Sequence, residues 1–237
     1  MKKTIGRILL GLTILASSAC TKIDNYDGPN ASFEGRIIDA TSGENFQTST
    51  GNINIRIEQI SWSETPSPQD IPSKMDGTFK DSKLFKGKYR VTPMGGPFWP
   101  VYEPSEIDIN MGSKHDFELT PYLVIKNLTQ EMDGVDLKLH FDIDAPIGAG
   151  LPTLLDVQPY VNTTKLVGPG ASIYEYSDAC KALINKDWLN LSPTEKTITL
   201  TVPNILKGRT FYVRVGVRLN DSYKSSNLSK IIEVKIP

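Results

Sequence analysis

The stretch VDLKLHFDID, residues 135–144, alternates apolar and polar residues without a break. Val135, Leu137, Leu139, Phe141 and Ile143 fall on one face of an extended chain, and Asp136, Lys138, His140, Asp142 and Asp144 on the other. A period of two predicts a strand with one buried and one solvated face. On a helix the same residues would be scattered around the axis. The pattern recurs outward in both directions. Ile53, Ile55 and Ile57 share a face, as do Ile107, Ile109 and Met111. Residues 197–202 alternate, then Phe211, Val213, Val215, Val217 and Leu219, and finally Ile232, Val234 and Ile236.

Between these runs lie turn signals: Ser42-Gly43, Asp76-Gly77, the Gly/Pro loop from Asp144 to Pro152, and Asn220-Asp221. Leu84 to Val91, Phe117 with Leu119, Tyr122 to Leu128, and Leu155, Val157 and Val161 read as further strands. A short helix is expected after Ser177-Asp178, with Cys180, Leu183, Ile184 and Trp188 on one face. So many short strands with a turn every few residues predict an all-β protein of two tandem sandwiches. The domains are expected at residues 31–120 and 121–237.

Two blocks carry a resemblance. GRIIDATSGE (35–44) and DGTFKDSKLFKGKYRVTP (76–93) resemble carboxypeptidase-regulatory-like, or transthyretin-like, domains. That likeness implies a tight turn at Gly87 and a packing role for Tyr89. The hairpin FYVRVGVRLNDSYKSSNLSKIIEVKI (211–236) is similar to the last two strands of fibronectin-III or Ig-like domains, with Tyr212 beside the inward Val213. Residues 162–192 are longer and less regular than that plan needs. ISWSETPSPQDIPSKMDGTF (60–79) and KYRVTPMGGPFWPVYEP (88–104) sharpen the likeness to a two-domain Bacteroidota lipoprotein family of unknown function. The resemblance implies a gene neighbourhood beside starch-utilisation-type nutrient importers. An importer and its companion lipoprotein are then candidate partners.

The start of the chain predicts an address. Lys2, Lys3 and Arg7 precede an apolar run from Ile8 to Leu15, then small residues lead directly to Cys20. Such a segment reads as a secretory signal, residues 1–19, and is too short to span a membrane. The cysteine after the small residues resembles a bacterial lipobox, with Ser17 where the stricter pattern has leucine. Acylation of Cys20 would tether the protein to a lipid bilayer, each buried methylene adding about 0.8 kcal/mol. Residues 20–30 read as a linker. Thr21 follows the cysteine, so no aspartate marks inner-membrane retention. The expected location is the outer membrane, at the cell surface or on its periplasmic face.

Composition excludes several classes. A net charge of −1 without a basic block argues against nucleic acid as a partner. Beyond Cys20 the only cysteine is Cys180, which excludes a disulfide framework and a cysteine metal cluster. No GxSxG, HExxH, P-loop or dinucleotide fingerprint occurs. No enzyme, cofactor or metal is expected. The expected function is a non-catalytic part in polysaccharide or nutrient uptake, binding a polysaccharide or oligosaccharide. A structural role beside an importer is the alternative.

Three groups are candidate sites. In the loop 95–102, Phe98, Trp99 and Tyr102 crowd between glycines and prolines, and Trp62 could join them. Such rings stack on sugars, but they could equally plug the sandwich end or pack against the second domain. His140, Asp142 and Asp144 share a strand face, as a metal site or the solvated side of a sheet would. His115 stands beside Asp116 in a strand start and has no expected role. Cys180 is a lone thiol, expected buried.

Overall fold

A computed structural model describes residues 28–237, which form two β-sandwiches in tandem. Cys20 and the signal segment lie outside the described residues.

In the first domain β1 (Ala31–Asp39) pairs antiparallel with β4 (Thr78–Leu84) and parallel with β7 (Ser113–Lys114) and β8 (Phe117–Leu119). Strands β2 (Ile53–Glu58), β3 (Gln69–Pro72), β5 (Gly87–Gly95) and β6 (Ser105–Ile109) form the second sheet, in the order β3-β2-β5-β6. Ile53, Ile55 and Ile57 point inward, as their spacing predicts, onto Phe33, Ile37, Phe79 and Val91. Each such side chain stabilises the fold by about 1.5–3 kcal/mol through burial. Tyr89 is buried and donates its hydroxyl to Phe85 O at 2.8 Å, so it packs and ties the bend before β5. Gly87 is required there, because a side chain would meet Ser61 Oγ at 2.3 Å.

In the second domain β9 (Val124–Asp133), β10 (Asp136–Asp144) and β13 (Thr197–Val202) make a three-stranded sheet, β13-β10-β9. Strands β11 (Leu154–Asn162), β12 (Ala182–Lys186), β14 (Thr210–Leu219), β15 (Ser226–Leu228) and β16 (Ile232–Lys235) form the other sheet. Its order is β12-β11-β14, with β15 and β16 both on the far edge of β14. Leu137, Leu139, Phe141 and Ile143 fill the core with Val213, Val215, Val217 and Leu219.

Three expectations are corrected. The stretch after Ser177 is not a helix. It forms 3-10 turns at Tyr174–Tyr176 and Asp178–Cys180, then β12, then a further turn at Trp188–Asn190. Cys180, Ile184 and Trp188 still pack on the core, while Leu183, expected on the same face, is exposed, so the apolar spacing reflects packing rather than a helical period. Met111 is exposed, because the chain has already turned before Gly112 (φ +79°). In β11 the inward residue is Leu154 rather than Leu155, since a bulge between Leu154 and Asp156 shifts the register. The Pro/Ser-rich stretch before Pro72 ends in a strand, β3, through one buried residue, Ile71.

Candidate functional site

The aromatic loop is a joint between the domains. Two successive glycines with positive φ, Gly95 (+74°) and Gly96 (+77°), turn the chain out of β5. A side chain at Gly96 would lie 2.5 Å from Ile53 Cγ1, so only glycine permits the turn. The loop then pairs with the interdomain connection: Phe98 bridges Pro121, Trp99 N donates to Thr120 O at 2.9 Å, and Tyr122 N donates to Pro97 O at 3.0 Å. Phe98 enters the first core, edge-on to Phe46. Trp99 turns the other way, onto the second core, edge-on to Tyr122 with ring centroids 5.3 Å apart. Phe98 and Trp99 are therefore packing residues and offer no flat exposed platform. Tyr102 is 86% exposed.

Trp62 does not join them. It is exposed in the turn after β2, where Ser61 N bonds Lys88 O at the start of β5. The aromatic loop leaves the other end of that nine-residue strand, roughly 25 Å away at ~3.3 Å per residue.

The second domain meets this joint through residues 214–230. Asn227, buried in β15, accepts from Leu123 N at 3.0 Å through Oδ1 and donates Nδ2 to Pro97 O at 2.9 Å. Arg214 is fully buried. Its Nη1 donates to Thr48 O of the first domain at 3.0 Å, and Nε and Nη2 donate to Ser229 O at 3.0 and 2.7 Å. Burial without a carboxylate partner lowers the guanidinium pKa to about 10. Ser225 Oγ bonds Asn52 Oδ1 at 3.0 Å, and Lys230 pairs with Glu44 at 2.6 Å.

Beside these contacts a half-open cavity of about 350 Å³ lies on the junction. One wall is the end of β5 with Met94, Phe98 and Val101; the other is Tyr122 and the turn Asn220, Asp221, Ser222 and Tyr223. The Tyr223 ring stands 3.9 Å from where a side chain on Gly95 would begin. Tyr122 is buried, which raises its phenol pKa, and Asp221, Tyr102 and Tyr223 lie close enough to raise it further. Burial likewise raises the Asp221 carboxyl, against the pull of the backbone N–H groups of Lys224, Ser225 and Tyr223. Asp221 Oδ1 is buried with no hydrogen-bond partner, and so is Trp99 Nε1. An apolar, partly enclosed site with a few polar groups is the usual form of a small-molecule site.

The other candidates are satisfied by neighbours. His140 bonds Thr199 Oγ1 at 2.9 Å and Glu131 Oε1 at 3.1 Å. Asp142 accepts from Asn127 and Thr197, and Asp144 pairs with Lys126 at 2.7 Å; these contacts hold both carboxyls below the usual range. No group of three potential metal ligands converges among the described residues. Cys180 is half-buried and donates its thiol to Glu175 O at 3.4 Å. Burial raises its pKa, which disfavours the reactive thiolate. A wider concavity of about 650 Å³ on the first domain is lined by Glu34, Arg36, Lys80, Lys114 and Asp116. Those charges pair with one another, and the two lysines lower the Glu34 pKa to about 2.

Sequence reasoning found the loop but missed Tyr122, Asp221 and Tyr223 as its neighbours. Asn220-Asp221 was visible as a turn, which is where a binding residue would be sought.

Fold and junction together define a two-domain all-β protein with a small cavity where the sandwiches meet. The N-terminal domain model of a protein of unknown function, DUF3823, matches residues 31–120, and the domain of unknown function DUF3823_C matches residues 123–233. The chain belongs to the DUF3823 family. It is similar to a crystal structure of a DUF3823 family protein from Bacteroides uniformis, with 22% identity and a TM-score of 0.76 over 88% of this chain and 100% of the other. A Bacteroides uniformis protein provisionally described as carbohydrate binding matches with 19% identity and a TM-score of 0.70, over the same shares. A DUF3823 family protein from Parabacteroides merdae matches with 20% identity and a TM-score of 0.68, again over 88% and 100%. At such identities the likeness is one of fold. No curated protein matches the sequence.

Proposed function

We propose that this protein is a non-catalytic, lipid-anchored carbohydrate-binding protein of a nutrient uptake system, and that the junction cavity is its binding site. The observation that carries this reading is the cavity itself: the exposed Tyr223 ring with Asn220, Asp221 and Ser222 beside it. Aromatic faces receive the apolar side of a sugar ring, while carboxylate, amide and hydroxyl groups take its hydroxyls. The provisional carbohydrate-binding description of one neighbour of the same fold points the same way.

The test is a glycan array followed by calorimetric titration of the purified protein. Tyr223→Ala should weaken binding about tenfold or more, the loss of one well-placed ring. Trp62→Ala should bind like the wild type. If no saccharide binds, the alternative takes over, an assembly partner of an outer-membrane importer.

The anchor is proposed from the sequence around Cys20. Mass spectrometry of the mature N-terminus should find an acylated Cys20, and Cys20→Ala should release the protein from outer-membrane fractions. An unmodified terminus elsewhere would remove the outer-membrane part of the proposal. Location beside a starch-utilisation-type importer and its companion lipoprotein then follows as the third part of the reading.

A further inference from the structure

The cavity has a one-sided charge. Asp221 is the single ionisable carboxylate among its lining residues, and no lysine, arginine or histidine lines it. Arg56 lies within electrostatic reach of Tyr223, but it is bound in a fork by Asp70, at 2.8 and 2.9 Å. Lys224 follows in the same turn, but it is exposed and does not line the cavity. A bound group therefore meets one negative charge with no cation beside it.

Asp221 also has unused hydrogen-bonding capacity. Its Oδ1 is shielded from water and has no partner within the protein. Asp221 itself lines the cavity, so a donor on a bound group approaches the carboxyl in a partly desolvated setting, where the bond is stronger than in bulk water. A carboxylate or sulfate brought to the same place would meet like charge in a partly desolvated setting, where repulsion is strongest. Asn220 and Ser222 beside it accept and donate hydrogen bonds, so they discriminate against neither hydroxyl nor amide groups.

We propose that Asp221 is a specificity-determining residue that admits saccharide units bearing only hydroxyl or amino groups and excludes uronic acids and sulfated sugars. The proposal rests on the carbohydrate-binding reading above and names its ligand class. Specificity arises as much from the rejected ligand as from the favoured one. At about 350 Å³ the cavity lies at the small end of small-molecule sites. It therefore receives a terminal unit.

The experiment titrates wild type and Asp221→Asn with length-matched oligosaccharides, one neutral, one ending in a uronic acid, one sulfated. The wild type should prefer the neutral ligand by at least about tenfold, and Asp221→Asn should reduce that preference to about threefold or less. The variant should fold, since burial already opposes the charge it removes; an unchanged or raised melting temperature checks this. Wild type that binds the acidic ligands as tightly as the neutral one overturns the proposal and leaves carbohydrate binding standing. So does an Asp221→Asn variant that keeps the full preference. Failure of all three ligands to bind wild type overturns both.

Discussion

Arg214→Ala should lower the unfolding free energy by roughly 3 kcal/mol. The reason is local. Arg214 sits on the outer face of β14, where alternation assigns a solvated position, yet it is fully buried. The first domain covers it through Thr48, and the break between β15 and β16 frees the Ser229 carbonyl to receive it. At that break Ser229 Oγ accepts from Val215 N instead. Truncation leaves the Thr48 and Ser229 carbonyls enclosed without donors, at about 1–3 kcal/mol each. The cost of burying the guanidinium, seen in its lowered pKa, is recovered in part and keeps the net below that sum. For a chain of this length the melting temperature should fall by roughly 6–12 °C. Arg214→Lys should lose most of the same stability, because one ammonium cannot reproduce a fork spanning two carbonyls. Urea unfolding checks both, and an unchanged midpoint for Arg214→Ala would show that the interdomain bond contributes nothing.

Asn227→Leu should cost somewhat less, roughly 2 kcal/mol, and should also weaken ligand binding. The substitution keeps the volume but removes both hydrogen bonds, leaving Leu123 N–H buried and unpaired and Pro97 C=O with Tyr122 N–H as its remaining donor. Those two groups help to fix the connection and the aromatic loop, so the wall of the cavity formed by Phe98 and Val101 loosens while its backbone bonds to Thr120 and Tyr122 remain. Trp99, packed on Tyr122 beside this clamp, should shift its emission to longer wavelength. Asn227→Asp should do nearly as much harm. It keeps an acceptor for Leu123 N but turns a carboxylate oxygen toward the Pro97 carbonyl. Because Arg214 and Asn227 secure one interface, the double variant should lose less than the sum of the single losses. It should unfold in two calorimetric transitions. A single transition in the double variant would place the coupling elsewhere.

The contrast between these residues marks how far the sequence could be read. Ile53, Ile55 and Ile57, Leu137 to Ile143, and Phe211 to Leu219 were legible because each strand buries one face in its own core. The period fails where something outside the strand intervenes. Leu155 is the extra residue of a bulge, and Met111 lies in a turn. Arg214 looks solvent-facing because nothing near it in sequence announces that another domain lies over that sheet. Cys180, Ile184 and Trp188 imitate a helical stripe because three irregular turns and a short strand bring the same residues inward. For the site, glycines and prolines exposed the loop 95–102 as irregular, and the rings drew attention to it. Its partners are more distant in the chain: Tyr122 is the first residue past the joint, and Asp221 and Tyr223 lie more than a hundred residues beyond the loop. Only the closing of the second sandwich brings that turn against β5.

A crystal structure of the protein grown with its tightest-binding saccharide tests the central claim most directly. The expected result is a sugar ring on the exposed face of Tyr223 with a hydroxyl or amino group directed at Asp221. Density confined to the turn around Trp62, or to the paired charges around Glu34 and Arg36, with the junction cavity unfilled, would contradict it.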